Sequence, residues 1–268
     1  MNGLIDVFGV AGQSNAAGRG TASAAPITVA GLAHEFRQPD VLITPALDPF
    51  HGAAHGSAWP AFLDTFTAAS GRPACIVSKA IGGSALLPAA SVTNGHWSPT
   101  GLLRAAASAA YSSALTHLAA AGWTPVWRGV LWHQGENDAQ ALRKLPTLSA
   151  QYAAALIALA GHFATSVGPG EMYVLRLGDR QGFEDGYAAV RAGQDVACAA
   201  PGLTMAYDEC AQFPARGWMR DPLHYAQVGL NHMGAGAARN VATHLGLLAS
   251  AEAPPRGMTI ARRLRQAL

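Results

Sequence analysis

A serine follows the first apolar segment of the chain, at a turn where its hydroxyl could act as a nucleophile. Residues 5–11 form an apolar run typical of a buried strand, and Gly12, Gln13, Ser14 and Asn15 come directly after it. Open α/β sheets place their chemistry at the carboxyl ends of such strands. If a helix begins near Ser14, its unpaired N–H groups also face whatever the hydroxyl binds. Ser and Asn are equally ordinary helix N-caps, and on local sequence alone capping is the commoner role.

A carboxylate and a histidine stand close together near the other end of the chain. Asp221 precedes His224 by three residues, with Pro222 between them. A carboxylate at this spacing can hold the ring through Nδ1 and leave Nε2 free to act as a base. The same residues also fit a surface turn with a solvated histidine, and by themselves they favour that simpler interpretation.

Two further polar segments follow predicted strands. Gly82 and Gly83 follow one of them, and residues 133–138 follow another. The carboxyl ends of parallel strands meet at one edge of a sheet, so we expect these segments to share a crevice with Ser14 and His224. His133 with Glu136, or His51 with His55, could suggest metal ligands. Neither pair has a third ligand at suitable spacing, so we expect no metal.

The elements that must position these residues alternate between strands and helices. Strands are predicted at residues 5–11, 41–44, 73–80, 127–132 and 172–177, with a short one at 203–206, and helices at 58–69, 102–121, 149–163, 187–198 and 227–247. This alternation predicts an α/β protein with a central parallel sheet of about five strands and helices on both faces. We expect a single domain over residues 1–250 and a tail over 251–268 that forms at most a short helix.

Composition narrows the class of protein. The chain has 268 residues, of which 50% are hydrophobic and 13% charged, with a net charge of +2, so a disordered or nucleic-acid-binding protein is not expected. No apolar stretch is long enough to span a membrane, and no signal peptide is visible. This predicts a cytoplasmic protein as given, or a secreted one if a leader has been removed. Cys75 is expected to be buried, and Cys198 and Cys210 are not expected to form a disulfide framework.

The four polar segments, in this order, resemble the blocks of the SGNH hydrolase superfamily. Within it they are similar to the sialate O-acetylesterase-like and carbohydrate esterase family 6 (acetylxylan esterase) branch. The blocks are Gly12-Gln13-Ser14-Asn15, Gly82-Gly83-Ser84, His133-Gln134-Gly135-Glu136-Asn137-Asp138 and Asp221-x-x-His224. The resemblance covers about residues 6–234 and departs at Ala16, where the family often has Met.

The resemblance implies a flavodoxin-like three-layer α/β/α fold and a Ser-His-Asp esterase without cofactor or metal. Ser14 would be the nucleophile, His224 the base and Asp221 its partner. The oxyanion hole would consist of the Ser14 and Gly83 backbone N–H groups and the Gln134 side-chain amide. Supporting roles would fall to Gln13, Asn15, Gly82 and Glu136; for Glu136 a purely structural role, or that of an alternative acid for His224, stays open.

The expected activity is removal of acetyl groups from a small-molecule or polysaccharide carbohydrate ester, such as acetylxylan or an acetylated sialic acid. The alternatives are a short-chain esterase acting on another acyl ester, and a non-catalytic carbohydrate-binding module on the same scaffold. Trp97 and Trp218 are possible sugar-stacking residues, and Arg220 is expected to pair with a surface carboxylate rather than with an acidic sugar. No nucleic-acid or membrane partner is expected, and the sequence leaves the oligomeric state open.

Overall fold

Strand β1 (Leu4–Gly12) lies in the middle of a seven-stranded sheet. The computed structural model describes residues 2–39, 41–50, 55–91 and 94–248. The other strands are β2 (Ala33–Arg37), β3 (Val41–Ile43), β4 (Ala74–Ser78), β5 (Thr124–His133), β6 (Glu171–Leu175) and β7 (Leu203–Tyr207). Their order is β3-β2-β4-β1-β5-β6-β7, and every pairing is parallel except that of β2 with β3.

Helices cover both faces of this sheet. They are α1 (Ser14–Ala17), α2 (Trp59–Ser70), α3 (Leu103–Ala120), α4 (Glu136–Ala141), α5 (Leu148–Ser166), α6 (Glu184–Cys198) and α7 (Gln227–His244). Alternate β1 side chains enter two separate cores: Ile5 and Val7 pack with residues of α3, α5 and α6, whereas Phe8 and Val10 pack with α2 and α7. Burial on both faces explains why β1 is an almost continuous apolar run.

The predicted α/β architecture is confirmed, but the sheet is larger than expected. Strand β2 was not predicted, because Glu35 and His34 make it polar although both side chains are buried. Glu35 pairs with Arg37 at 2.8 Å, which compensates the charge inside the protein. The strand predicted at 41–44 is the antiparallel partner of β2 at the edge of the sheet. The tail predicted at 251–268 lies outside the described residues.

The three cysteines are free thiols. Cys75 is buried in β4, and neither Cys198 nor Cys210 forms a disulfide. In the described ranges, no helix is both long enough and apolar enough to cross a lipid bilayer.

Candidate active site

The turn that carries Ser14 is possible because β1 ends in a glycine. Gly12 has φ +134°, and a Cβ at this position would lie 2.0 Å from the backbone oxygen of His133 at the end of β5. Only glycine allows this close approach of the two strands. Helix α1 begins at Ser14, with Gln13 at the N-cap position and no side-chain cap, so the expected capping role of Ser14 is not observed.

The Ser14 hydroxyl instead contacts a histidine from the far end of the chain. His224 Nε2 lies 3.1 Å from Ser14 Oγ, and His224 Nδ1 lies 2.8 Å from Asp221 Oδ2. The other carboxylate oxygen, Oδ1, accepts the backbone N–H groups of Leu223 and His224, both at 2.8 Å. With the Nδ1 proton directed at Asp221, Nε2 presents its lone pair to the Ser14 hydroxyl.

Asp221 is held in its ionised form. Partial burial raises its pKa, but hydrogen bonds from the His224 ring and from the Leu223 and His224 amides outweigh this effect. The net result is a pKa below the usual value for an aspartate. The carboxylate is therefore available to stabilise a positive charge on the His224 ring.

Gly82 and Gly83 lie in the loop that follows β4, on the other side of Ser14. The peptide between them is anchored because Asn94 Nδ2 donates to the Gly82 carbonyl at 2.9 Å. Gly83 has φ +73°, and its own carbonyl accepts Asn137 Nδ2 at 2.5 Å. Within the described residues, neither the Gly83 N–H nor the Ser14 N–H is found donating a hydrogen bond, so both N–H groups can bind a ligand oxygen.

The Gln134 side-chain amide is tightly held. Its nitrogen donates to Asp138 Oδ2 at 2.6 Å and also faces Gln13 Oε1 at 3.1 Å and the Ser84 carbonyl at 3.4 Å. Its oxygen accepts the Tyr152 hydroxyl at 3.0 Å. One amide hydrogen is thus taken by Asp138, and the other is shared between two weaker acceptors.

Asp138 is a site residue that the sequence analysis did not single out. Besides Gln134, it accepts the backbone N–H groups of Leu86 at 3.0 Å and Leu87 at 2.8 Å. It is fully buried, and burial raises its pKa although these hydrogen bonds act in the opposite direction. Asp138 thereby joins α4 to the segment that follows Gly83. Sequence spacing gives no signal for this role, because the two N–H groups belong to a distant segment of the chain.

Two of the predicted supporting residues make hydrogen bonds around the Ser14 turn. Gln13 Oε1 accepts both Gln134 Nε2 and the Asn137 backbone N–H, the latter at 3.3 Å. Glu136 is buried and accepts Asn15 Nδ2 at 2.8 Å on one carboxylate oxygen. Burial raises the pKa of Glu136 to about 7, and no hydrogen bond joins this carboxyl group to His224 within the described residues.

His133 is a buried structural histidine. Its Nδ1 lies 2.9 Å from the Leu175 carbonyl, and burial lowers its pKa to about 4 despite that hydrogen bond, so the ring is neutral at physiological pH. Across the part of the chain that the structure describes, no three His, Cys, Asp or Glu side chains are grouped as a metal site. His55 is exposed, and His51 lies outside the described residues.

The aromatic residues singled out in the sequence are not open platforms. Trp97 is only 1% exposed, donates from Nε1 to Ser84 Oγ at 3.0 Å and packs edge-on against Trp132. The sugar-stacking prediction for Trp97 is therefore wrong: the ring supports the segment after Gly83. Trp218 is half-buried, and its indole packs against side chains on three sides, Phe213, His232 and Arg216.

Two arginines lie near the Ser14 turn. Arg19 Nη2 would be 2.6 Å from a Cβ on Gly82, which places its guanidinium over the glycine turn. Within the described residues no carboxylate lies within 4 Å of it. Arg220 donates to the Arg19 carbonyl, so the expected surface carboxylate partner of Arg220 is replaced by a backbone oxygen.

Solved structures share this fold at low sequence identity. A protein from Arabidopsis thaliana matches with a TM-score of 0.69 and 16% identity, over 89% of this chain and 98% of its own. A carbohydrate acetylesterase from Xanthomonas citri matches with a TM-score of 0.52 and 20% identity, over 89% of this chain but only 57% of its own. No curated protein matches the chain.

A family model gives the more specific result. The model described as "Carbohydrate esterase, sialic acid-specific acetylesterase" matches residues 4–242, which contain all four polar blocks. This match confirms the predicted resemblance, and it identifies the protein as a carboxylic-ester hydrolase. The chain belongs to the carbohydrate esterase family of sialic acid-specific acetylesterases.

Proposed function

We propose that this protein is a serine esterase that removes O-acetyl groups from a carbohydrate, with Ser14 as nucleophile, His224 as base and Asp221 as its partner. The observation that carries the proposal is the hydrogen-bonded series from Asp221 through His224 to Ser14, with contacts of 2.8 and 3.1 Å. Nucleophile, base and orienting carboxylate are thus within reach of one another in the order that acyl transfer requires.

In the first half of the reaction, His224 Nε2 takes the Ser14 proton as Oγ attacks the acetyl carbonyl carbon. The carbonyl oxygen becomes an oxyanion, and the Ser14 and Gly83 N–H groups stabilise it. Gln134 is the third donor, through the hydrogen otherwise shared by Gln13 and Ser84. The intermediate then expels the sugar oxygen, which takes the proton from His224 and leaves acetyl-Ser14.

Water completes the reaction. His224 removes a proton from a water molecule, whose oxygen attacks the acetyl-Ser14 carbonyl. Collapse of the second tetrahedral intermediate breaks the bond to Ser14 Oγ, which regains its proton from His224, and acetate is released. Asp221 stays ionised throughout, in agreement with its lowered pKa, and stabilises the imidazolium form of His224.

Among acetylated carbohydrates, we propose an acidic sugar rather than neutral xylan as the substrate. The Arg19 guanidinium lies over Gly82 beside the nucleophile, and within the described ranges no carboxylate neutralises it. A sugar carboxylate would pair with such a group, since guanidinium and carboxylate have matching geometry. This supports an O-acetylated sialic acid as the substrate class.

The test is acetate release from p-nitrophenyl acetate by the parent protein and the Ser14→Ala variant. We expect Ser14→Ala to lower kcat by at least about 10³-fold, because the nucleophile is lost. Ser23→Ala is the matched control, because Ser23 is an exposed serine outside the proposed triad, and this variant should retain the parent rate.

The same proteins are then assayed on acetylated xylan and on O-acetylated sialic acid, with faster release expected from the acidic sugar. Hydrolysis that persists in Ser14→Ala would contradict the nucleophile assignment. A parent protein inactive on all three esters would instead favour the binding-module alternative.

A further inference from the structure

The side chain of Asn15 binds the chain on both sides of His224. Asn15 Nδ2 donates to the Leu223 carbonyl at 3.2 Å, and the Tyr225 N–H donates to Asn15 Oδ1 at 3.0 Å. Asn15 directly follows Ser14 in the sequence. One amide group therefore connects the turn that holds Ser14 to the two peptides that flank His224.

This connection requires the Asn15 amide to face one way. In the flipped orientation, Oδ1 would face the Leu223 carbonyl and Nδ2 would face the Tyr225 N–H, so both hydrogen bonds would be lost. Glu136 Oε1 accepts Nδ2 at 2.8 Å in a fully buried environment. A carboxyl oxygen at that point repels Oδ1 and thus selects the observed orientation.

We propose that Glu136 is a positioning residue, which holds the base His224 at hydrogen-bond distance from Ser14 by fixing the orientation of Asn15. The inference rests on the proposed function of the Ser14 site and assigns a role within it. Asp221 is the acid that contacts the His224 ring, so Glu136 acts through the backbone of the His224 segment and not through the ring.

The surroundings of Glu136 indicate that its oxygen matters more than its charge. The second oxygen, Oε2, has no hydrogen-bond partner among the described residues. Burial raises the pKa of Glu136 to about 7. A proton on Oε2 still leaves Oε1 as the acceptor for Asn15. The hydrogen bond that fixes the Asn15 amide is therefore kept in both protonation states of Glu136.

A glutamine at this position should therefore rescue the function that an alanine removes. The Gln carbonyl supplies the acceptor for Asn15, and its NH₂ group takes the place of Oε2, which makes no hydrogen bond to the described residues. If Glu136 were instead an acid needed for its charge, glutamine would fail as badly as alanine.

The experiment compares Glu136→Ala, Glu136→Gln and Asn15→Ala on p-nitrophenyl acetate, with Glu184→Gln as the control at an exposed glutamate. We expect Glu136→Ala and Asn15→Ala each to lower kcat by about 10²-fold with KM nearly unchanged, the size of loss that misplacement of a catalytic group produces. Glu136→Gln should keep most of the parent kcat. The double variant Asn15→Ala/Glu136→Ala should lose no more than either single variant, because both remove the same connection.

A second readout does not depend on activity. In crystal structures, the distance between His224 Nε2 and Ser14 Oγ should exceed hydrogen-bond range in Glu136→Ala and remain near 3.1 Å in Glu136→Gln. If Glu136→Ala does not fold, Glu136→Met, which has similar length but no acceptor oxygen, replaces it in both measurements.

Three results would overturn the inference: equal losses in Glu136→Gln and Glu136→Ala, multiplying losses in the double variant, or an unchanged distance in the variant that lacks the acceptor. A parent protein that hydrolyses the ester through Ser14 but shows any of these leaves the proposed function intact. If the parent protein shows no Ser14-dependent hydrolysis, only the proposed function is overturned. The distance between His224 Nε2 and Ser14 Oγ in the variants still tests the positioning role of Glu136.

Discussion

Glu136 shows how a single buried carboxyl group makes the stability of the fold depend on pH. Its pKa of about 7 lies above the ordinary value of 4.5 because burial disfavours the charged form. At pH values between 4.5 and 7, the Glu136 carboxyl group has lost its proton in the unfolded chain but keeps it in the folded protein. Raising the pH through this window therefore lowers the free energy of unfolding, and below it the residue has no effect.

Glu136→Gln removes this titration, and the comparison with the parent isolates it. We expect the variant to gain stability relative to the parent as pH rises from 4.5 to 7, by up to about 3 kcal/mol, and the difference to level off above pH 7. Urea unfolding of both proteins at a series of pH values measures this difference. Asp221 titrates in both proteins, so its contribution cancels. If the stability of Glu136→Gln relative to the parent stays constant or falls as the pH rises, Glu136 does not have the raised pKa.

At this scale the sequence predicted the candidate reacting groups and only some of the residues that support them. Each of Ser14, Asp221 and His224 alone favours a simpler role, and they became candidates because four polar blocks occur in the order that resembles a known family. Asp138 and Asn94 could not be found in this way, since their roles depend on backbone N–H and carbonyl groups of distant segments. Trp97 was misjudged because its neighbours in sequence are polar, whereas its neighbours in space are Trp132 and Ser84.

At the scale of elements, the glycines of α7 are packing positions. They weaken the sequence prediction of this helix, because glycine disfavours helices by about 1 kcal/mol relative to alanine. In the structure, a Cβ on Gly234 would lie 2.1 Å from the Ala58 carbonyl at the start of α2, and one on Gly236 would lie 2.6 Å from the Tyr207 ring. The glycines thus let α7 pack closely against α2 and β7, which local sequence could not reveal.

Two matched substitutions test this role. Gly234→Ala should destabilise the protein by about 1–3 kcal/mol, because the new methyl group meets backbone that must move. Gly161→Ala in α5 should be neutral or stabilise it by up to about 1 kcal/mol, since a Cβ there has nothing within 4 Å. Thermal or urea unfolding measures both. Equal effects of the two substitutions would show that helix propensity, and not packing, explains these positions.

Strand β2 marks the limit of pattern-based prediction for whole elements. Its five residues include a histidine, a glutamate and an arginine, so neither apolar alternation nor β-branched content identifies it. It is a strand because β4 on one side and β3 on the other supply its hydrogen-bonding partners. The central strands β1, β4, β5 and β6 were predictable because burial on both faces makes them apolar.

At the scale of the whole molecule, a buried ion-pair cluster and the candidate active site lie at opposite ends of β1. Near its amino end, buried Asp6 pairs with Arg72 at 2.5 Å and with Arg128 at 2.7 Å, which fixes β1 between β4 and β5. At its carboxyl end lies Ser14, with Gly83, Gln134 and His224 brought there by three other parts of the chain. The parallel sheet accounts for both arrangements, since all these strands end at the same edge.

The measurement that tests the central claim most directly is covalent trapping with diethyl p-nitrophenyl phosphate, which phosphorylates activated serines. We predict one adduct per chain, located on Ser14 by peptide mass spectrometry, with loss of acetyl-ester hydrolysis in proportion to labelling. His224→Ala should label far more slowly, because the hydroxyl then lacks its base. An inactivated protein whose label lies on another residue, or continued hydrolysis by fully Ser14-labelled protein, would contradict the account.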